Sequence, residues 1–219
     1  MSGTVNQLEL AVALTARTQQ LCIGLEDGVA DIFDLVTPAT AELLRWWFGA
    51  EACATRRFNF HPGQQQAILN AIVAHEVLGA VDLKSLYRQA APDALLTGGR
   101  LAEVSQPKHD HPKYCLKMAT GTGKTWVLQA LLIWQLLNKS AALADGIDDP
   151  RFTRQFLIVA PGLIVYDRLL DAFCGKMKGG VRDFASSDVA LFAGLFIPEG
   201  RREQVFGFVR GNVCAKDEI

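Results

Sequence analysis

The sequence predicts an α/β fold in which an N-terminal helical segment, residues 1–55, precedes an incomplete parallel sheet in residues 56–219. Three observations carry this expectation. Apolar residues recur at helical spacing early in the chain. A short apolar stretch, KYCLKM, runs through a glycine-rich turn into a long apolar run, KTWVLQALLIWQLLN. A continuous apolar stretch, FLIVAP, follows a polar linker. Strand, turn, helix, linker and strand in that order make one βαβ unit.

Taken in order, Val5 to Glu26 has the apolar spacing of a helix and no nameable chemistry. TPATAELLRWWF starts a second helix, with Thr37 as N-cap and Pro38 at the first helical position, where its missing N–H costs nothing. Trp46 and Trp47 follow on that helix. Adjacent positions point about 100° apart, so core packing is expected of at least one of them. After RRFNFHPG, the residues Ile68, Ala71, Ile72, His75 and Leu78 form one helical stripe. Residues 80–113 lose periodicity and read as a short helix, LKSLYRQA, and a long exposed loop. The run from Lys124 to Asn138 is apolar on nearly all sides, as a buried helix is. FLIVAP has the composition of a parallel strand covered on both faces. DVALF and QVFGFV are further candidate strands.

Half of the 219 residues are hydrophobic and the formal net charge is −1. Composition therefore gives no electrostatic footprint for nucleic acid, and any such binding needs a local patch. The strongly apolar run Val127 to Leu137 is interrupted by Gln129 and Gln135 and falls short of the roughly 20 residues that cross a bilayer, so no membrane partner is expected. The N-terminus lacks a basic region followed by an apolar one, and the five cysteines are odd in number and scattered. A reducing, cytoplasmic setting is expected. The terminal KDEI has no signal segment to give it a retention meaning.

The chemistry lies in ATGTGKT. Gly121 and Gly123 permit a turn tight enough for successive N–H groups to point at a polyphosphate, and the following helix N-terminus adds partial positive charge. Lys124 reaches the β- and γ-phosphates, and the Thr125 hydroxyl serves Mg²⁺. Thr120, Gly121, Thr122, Gly123, Lys124 and Thr125 are thus the predicted nucleotide-binding residues, with Thr125 also the metal-binding one. A chance turn before a helix is the alternative. The flanking strand and helix that the motif demands are both predicted here, which favours the phosphate cradle. The strict pattern wants Gly at position 118, where this chain has Met.

MATGTGKT resembles motif I of superfamily 2 helicases and translocases, particularly the motor subunits of type I and type III restriction enzymes, where Met precedes the Ala. FNFHPGQQQAI resembles the aromatic-plus-glutamine segment that precedes motif I, with Gln64 in the place of the glutamine that reads the adenine edge. FLIVAPGLIVYDRLL resembles motif Ia, whose loop touches the phosphates of the tracked strand, which implies Pro161 and Gly162 as nucleic-acid contacts. The similarity runs from about Arg45 onward and is closest to the type III restriction-like, DEAD/DEAH-type branch. It implies a RecA-like P-loop sheet, ATP and Mg²⁺ as cofactors, and DNA-dependent ATPase, helicase or translocase activity. The implied partners are DNA, held weakly by this portion, and the remainder of the motor or a modification subunit.

Each match has a plainer alternative. Gln64, Gln65 and Gln66 also suit a solvated helix start, although a carboxamide can donate to and accept from adenine at once. Phe58 and Phe60 suit base stacking or core equally. Pro161 and Gly162 suit an ordinary strand-to-helix turn, but turns at the carboxyl ends of parallel strands are where α/β sheets bind ligands. Arg168 reads as a solvated helical face.

Two departures stand against the resemblance. The family places an Asp-Glu pair after an apolar strand to hold Mg²⁺ and orient the attacking water, whereas Asp217-Glu218 follows NVCAK. A second RecA-like domain, the usual source of arginine fingers, is not in the sequence either. No residue is therefore assigned to catalysis, and the chain is expected to be the front portion of a longer motor. An ATP-binding module without turnover and a P-loop NTPase unrelated to nucleic acid remain the other readings. His109, His111 and Cys115 have zinc-ligand chemistry but no fourth partner, so no zinc site is read there. Lys176, Lys178, Arg201 and Arg202 read as solvated surface.

Overall fold

The computed structural model describes residues 8–97 and 99–212. Two compact units divide the chain: residues 8–36 with 61–119, and residues 37–60 with 120–212.

The first unit is helical. Helix α1 (Glu9–Leu21) packs on α4 (Pro62–Ile72), which continues as a π-helical turn over Val73–Val77. Asn70 donates to Thr15 Oγ1 at 3.0 Å and Gln19 to Gln66 Oε1 at 3.3 Å, fastening the two helices. The predicted LKSLYRQA helix is α5 (Leu83–Ala90). It starts at a capping box in which Ser85 donates its backbone N–H to Asp82 Oδ1 at 2.6 Å. The expected long loop is shorter than the sequence suggests. Helices α6 (Pro92–Leu95) and α7 (Arg100–Val104) occupy part of it, because Leu95 and Val104 bury against Tyr87 and Ala91. Arg100 ties this region to α1 through Glu9 at 3.2 Å.

The second unit is built on α2 (Pro38–Phe48) and the 21-residue α8 (Lys124–Ala144), with α3 (Ala50–Thr55) following α2. Thr37 caps α2 as predicted, accepting from the Thr40 N–H at 3.1 Å. Thr40 then joins the two helices from a buried position: its hydroxyl accepts from Trp134 Nε1 and from Asn138 Nδ2, each at 2.9 Å. Trp47 is core, as expected for one of the tryptophan pair, and donates to the Phe196 carbonyl at 2.8 Å. By length and composition α8 passes for a membrane-crossing helix. Its buried face carries Gln129 and Asn138 among Val127, Ala130, Ile133 and Leu137, and it packs as a core helix.

The predicted parallel sheet is not seen among the described residues. Their one ladder is an antiparallel pair, β1 (Lys176–Lys178) and β2 (Val181–Asp183), with Met177 opposite Arg182. Neither KYCLKM nor FLIVAP joins a ladder. A strand exists only with a neighbour to take its main-chain hydrogen bonds, and among the described residues the one such pairing is that of β1 with β2. The other two candidate strands are corrected outright. DVALF enters α10 (Asp188–Leu191), capped by Ser187, and QVFGFV lies within α12 (Arg202–Asn212), where Val205 is buried. Apolar runs of four to six residues suit either period, and here the Ser187 cap and packing against α8 and α9 (Leu163–Cys174) favour the helix. Between α10 and α12, α11 (Ala193–Phe196) supplies buried Leu195 and Phe196.

Candidate nucleotide site

The glycine loop precedes α8. Gly121 and Gly123 have φ of +81° and +71°, in the left-handed region that disfavours any residue with a Cβ. A Cβ on Gly121 would meet nothing within 4 Å, so this glycine serves the turn of the backbone rather than close packing, and the space beside it is open. Gly123 is the N-cap residue of α8 and no side chain caps the helix. Lys124 and Thr125 are its first two residues, Lys124 exposed and Thr125 half-buried. Thr120, Gly121, Thr122, Gly123, Lys124 and Thr125 therefore run consecutively into a helix N-terminus, where backbone N–H groups and the helix dipole favour an anion.

The next side chain holds this turn in place. Trp126 lies 4.9 Å from Phe192, 5.8 Å from Phe196 and 6.5 Å from Phe58, ring centre to ring centre. The sequence reading missed this aromatic clamp. Its one visible signal was the aromatic residue directly after the Lys-Thr pair. Phe60 is core, packed among Trp47, Phe48 and Phe196, whereas Phe58 is partly exposed beneath the Arg57 guanidinium. Of the two phenylalanines, only Phe58 presents a ring to solvent.

Gln64 stands in the other compact unit, at the third position of α4. It is 3% exposed, and its Oε1 accepts from the His61 backbone N–H at 3.0 Å. His61 Nδ1 in return accepts from the backbone N–H groups of Gly63 and Gln64. The carboxamide thus serves a capping box whose N-cap is a histidine. Gln65 and Gln66 instead line a groove against α1, with Thr18, Gln19, Cys22, Pro62 and Leu69. Burial pushes the Cys22 thiol up to about 11, which keeps it neutral and unreactive at ordinary pH.

Pro161 and Gly162 are exposed at the N-terminus of α9. Gly162 has φ of −177°, extended backbone open to any residue. Gln129 of α8 donates to the Ala172 carbonyl of α9 at 3.2 Å, so the helices that follow the two loops are tied directly. Arg168 is exposed, as its reading predicted. Arg201 is not free surface: it forms a two-pronged pair with Glu42 of α2, at 3.1 and 2.8 Å. His109 and Lys108 both pair with Glu103, and among the described residues no cluster of His, Cys, Asp and Glu could hold a metal. Asp217 and Glu218 lie outside the described residues.

The loop's donor set fits a nucleoside polyphosphate. Two left-handed glycines with open space beside Gly121, an exposed Lys124 at the helix start and the Thr125 hydroxyl beside it are groups that suit a phosphate chain and its Mg²⁺. A family model described as type III restriction enzyme, res subunit, matches residues 57–201, more than half of the chain. The chain belongs to this family. No curated protein and no solved structure matches it. The match to the res-subunit family spans Gln64, the glycine loop, α8 and the Pro161-Gly162 turn together. It agrees with the reading of the chain as an N-terminal helicase-like portion of such a motor.

Proposed function

We propose that this res-family chain is the ATP-binding front part of a DNA-dependent ATPase, helicase or translocase, with the nucleotide held at Gly121–Thr125. The observation that carries this is the pair of left-handed glycines leading straight into Lys124 at the head of a buried helix. Backbone N–H groups of Thr120 to Gly123 would hold the phosphates, Lys124 would neutralise them and Thr125 would hold Mg²⁺. When bound, Mg²⁺ draws charge from the phosphate oxygens. Gln64 would recognise adenine, and to do so its carboxamide has to exchange its capping bond for the base. Pro161 and Gly162 would touch the DNA backbone. A cytoplasmic setting and the remainder of the motor, or a modification subunit, as protein partner belong to the same proposal.

A module that binds ATP without turning it over is the second reading. It is favoured by one observation: the only Asp-Glu pair in the sequence, Asp217-Glu218, is preceded by NVCAK and not by a continuous apolar run. Steady-state phosphate release at low salt, with and without duplex or single-stranded DNA, separates the two. The 219-residue protein is expected to hydrolyse ATP little above background in either condition, because a cradle without a positioned water or an arginine finger forgoes a factor of about 10³–10⁵. Strong DNA-stimulated release that Lys124→Ala abolishes would show that residues of this chain complete a hydrolytic site and would reject the module reading.

A further inference from the structure

Within the first unit, the end of α1 and the start of α4 form a groove of about 250 Å³. Helix α1 precedes the residues that the family model matches, so part of this groove is built by sequence that the family description does not cover. Its framework is a ladder of polar side chains. Gln19 donates to Gln66 Oε1 at 3.3 Å, Gln66 to Asn70 Oδ1 at 2.9 Å and Asn70 to Thr15 Oγ1 at 3.0 Å. Each link fixes the next side chain, and the wall is ordered before anything enters. Gln65, half-buried and one residue earlier, makes no side-chain hydrogen bond among the described residues.

Thr18 carries the argument. It lines the groove and is fully buried, and among the described residues its hydroxyl has no hydrogen-bond partner. A buried hydroxyl without a partner is destabilising, and valine would fill the same space without that cost. Such a group in the wall of a groove is accounted for when something outside the protein completes it.

The lining selects the chemistry of the occupant. None of the lining residues is charged, so a phosphate or carboxylate would lose its water without gaining a counter-charge. Pro62, Leu69 and the neutral Cys22 thiol give an apolar bed for a flat ring. A carboxamide presents a carbonyl beside an NH₂, and its full complement is an N–H beside a carbonyl on one edge. The volume lies just under the range of drug-sized pockets, which suits a single small ring system.

We propose that this groove binds a small neutral ring with a lactam edge, the chemistry of a pyrimidine base or its nucleoside. Gln65 pairs with that edge, and the Thr18 hydroxyl meets a further polar atom of the ring. This inference does not depend on the nucleotide site.

Uridine is the probe, titrated into the isotope-labelled 219-residue protein while the carboxamide signals of Gln65 and Gln66 and the Thr18 amide are followed by NMR. Saturable shifts with a dissociation constant of about 0.1–1 mM are expected for a ligand of this size. 3-Methyluridine, which lacks the N–H of the lactam edge, should bind about tenfold more weakly or less. Gln65→Ala and Thr18→Val should each weaken uridine by about 2- to 12-fold. In the free protein the valine gives up no hydrogen bond, so the Thr18→Val midpoint in urea should equal or exceed that of the parent. Lys124→Ala should bind uridine as the parent does. The proposal is overturned by the absence of saturable shifts at about 10 mM uridine, which would leave the groove to water alone. It is equally overturned by 3-methyluridine binding as well as uridine, or by a Thr18→Val protein with a lower midpoint and unchanged affinity. Binding lost in Lys124→Ala would place the ligand at the glycine loop, and uridine monophosphate binding about tenfold tighter than uridine would contradict an uncharged site.

Discussion

Replacing Thr40 by valine keeps the side chain's shape and removes one oxygen. That oxygen accepts two buried donors, Trp134 Nε1 and Asn138 Nδ2, both at 2.9 Å. Asn138 Nδ2 retains a second acceptor, the Trp134 carbonyl at 2.9 Å. A hydrogen bond that is lost costs about 0.5–1.5 kcal/mol, so losing these two should make Thr40→Val less stable by about 1–3 kcal/mol. Trp134→Phe deletes one of the two donors. In the double variant the penalty should fall short of the sum of the single penalties by about 1 kcal/mol or more. Urea unfolding followed by circular dichroism gives all four stabilities. Because the bond joins α2 to α8 and not to the glycine loop, Mg-ATP affinity measured well below the unfolding midpoint should stay within about twofold. A Thr40→Val protein within about 0.5 kcal/mol of the parent, or strictly additive penalties, would refute the claim that this hydroxyl anchors the loop helix.

Three other outcomes follow. Gly175 has φ of +87°, and a Cβ there would lie 1.8 Å from the Asp183 carbonyl oxygen, so Gly175→Ala should open the β1–β2 pair. Amide exchange of Lys176 to Asp183 reads this; unchanged protection would contradict it. The Ser85 backbone N–H holds the Asp82 carboxylate below its ordinary range. The stability it adds is therefore complete above about pH 4 and is lost as pH falls through the lowered folded value. Asp82→Ala should cost about 1 kcal/mol at pH 7, with the difference from the parent vanishing in acid; a difference independent of pH would be inconsistent with a carboxylate cap. Gln64→Ala should weaken ATP while leaving GTP nearly as poor as before, and should also cost about 1 kcal/mol of stability through the lost capping bond. Equal weakening of both nucleotides would make the residue purely structural.

What the sequence discloses and what it hides divide along physical lines. Local chemistry is legible: Thr37 with Pro38 marks the start of α2, the spacing in LKSLYRQA marks α5, and the glycines at 121 and 123 adopt the left-handed backbone that a phosphate turn needs. Pairing is not legible, because a strand is a relation between segments. FLIVAP and KYCLKM have strand composition yet join no ladder, while DVALF and QVFGFV take a helix that their length leaves undecided. His61 was hidden for another reason. Histidine is outside the usual N-cap residues, so nothing pointed to the ring nitrogen that accepts two N–H groups and draws the Gln64 carboxamide into a cap. The Trp126 clamp depends on Phe192 and Phe196, some 70 residues downstream in the sequence, and no local pattern connects them.

The central claim is that Lys124, at the head of α8, faces the phosphates of a bound nucleotide. Isothermal titration of Mg-ATP into the parent protein and into Lys124→Ala tests it most directly. Removing one charge-assisted contact is worth roughly 1.5–3 kcal/mol, or about 10- to 150-fold in the dissociation constant. The parent should bind Mg-ATP measurably, and the variant should be weaker by that factor with its unfolding midpoint in urea unchanged. An identical dissociation constant in the two proteins would mean that the glycine loop is not the nucleotide site.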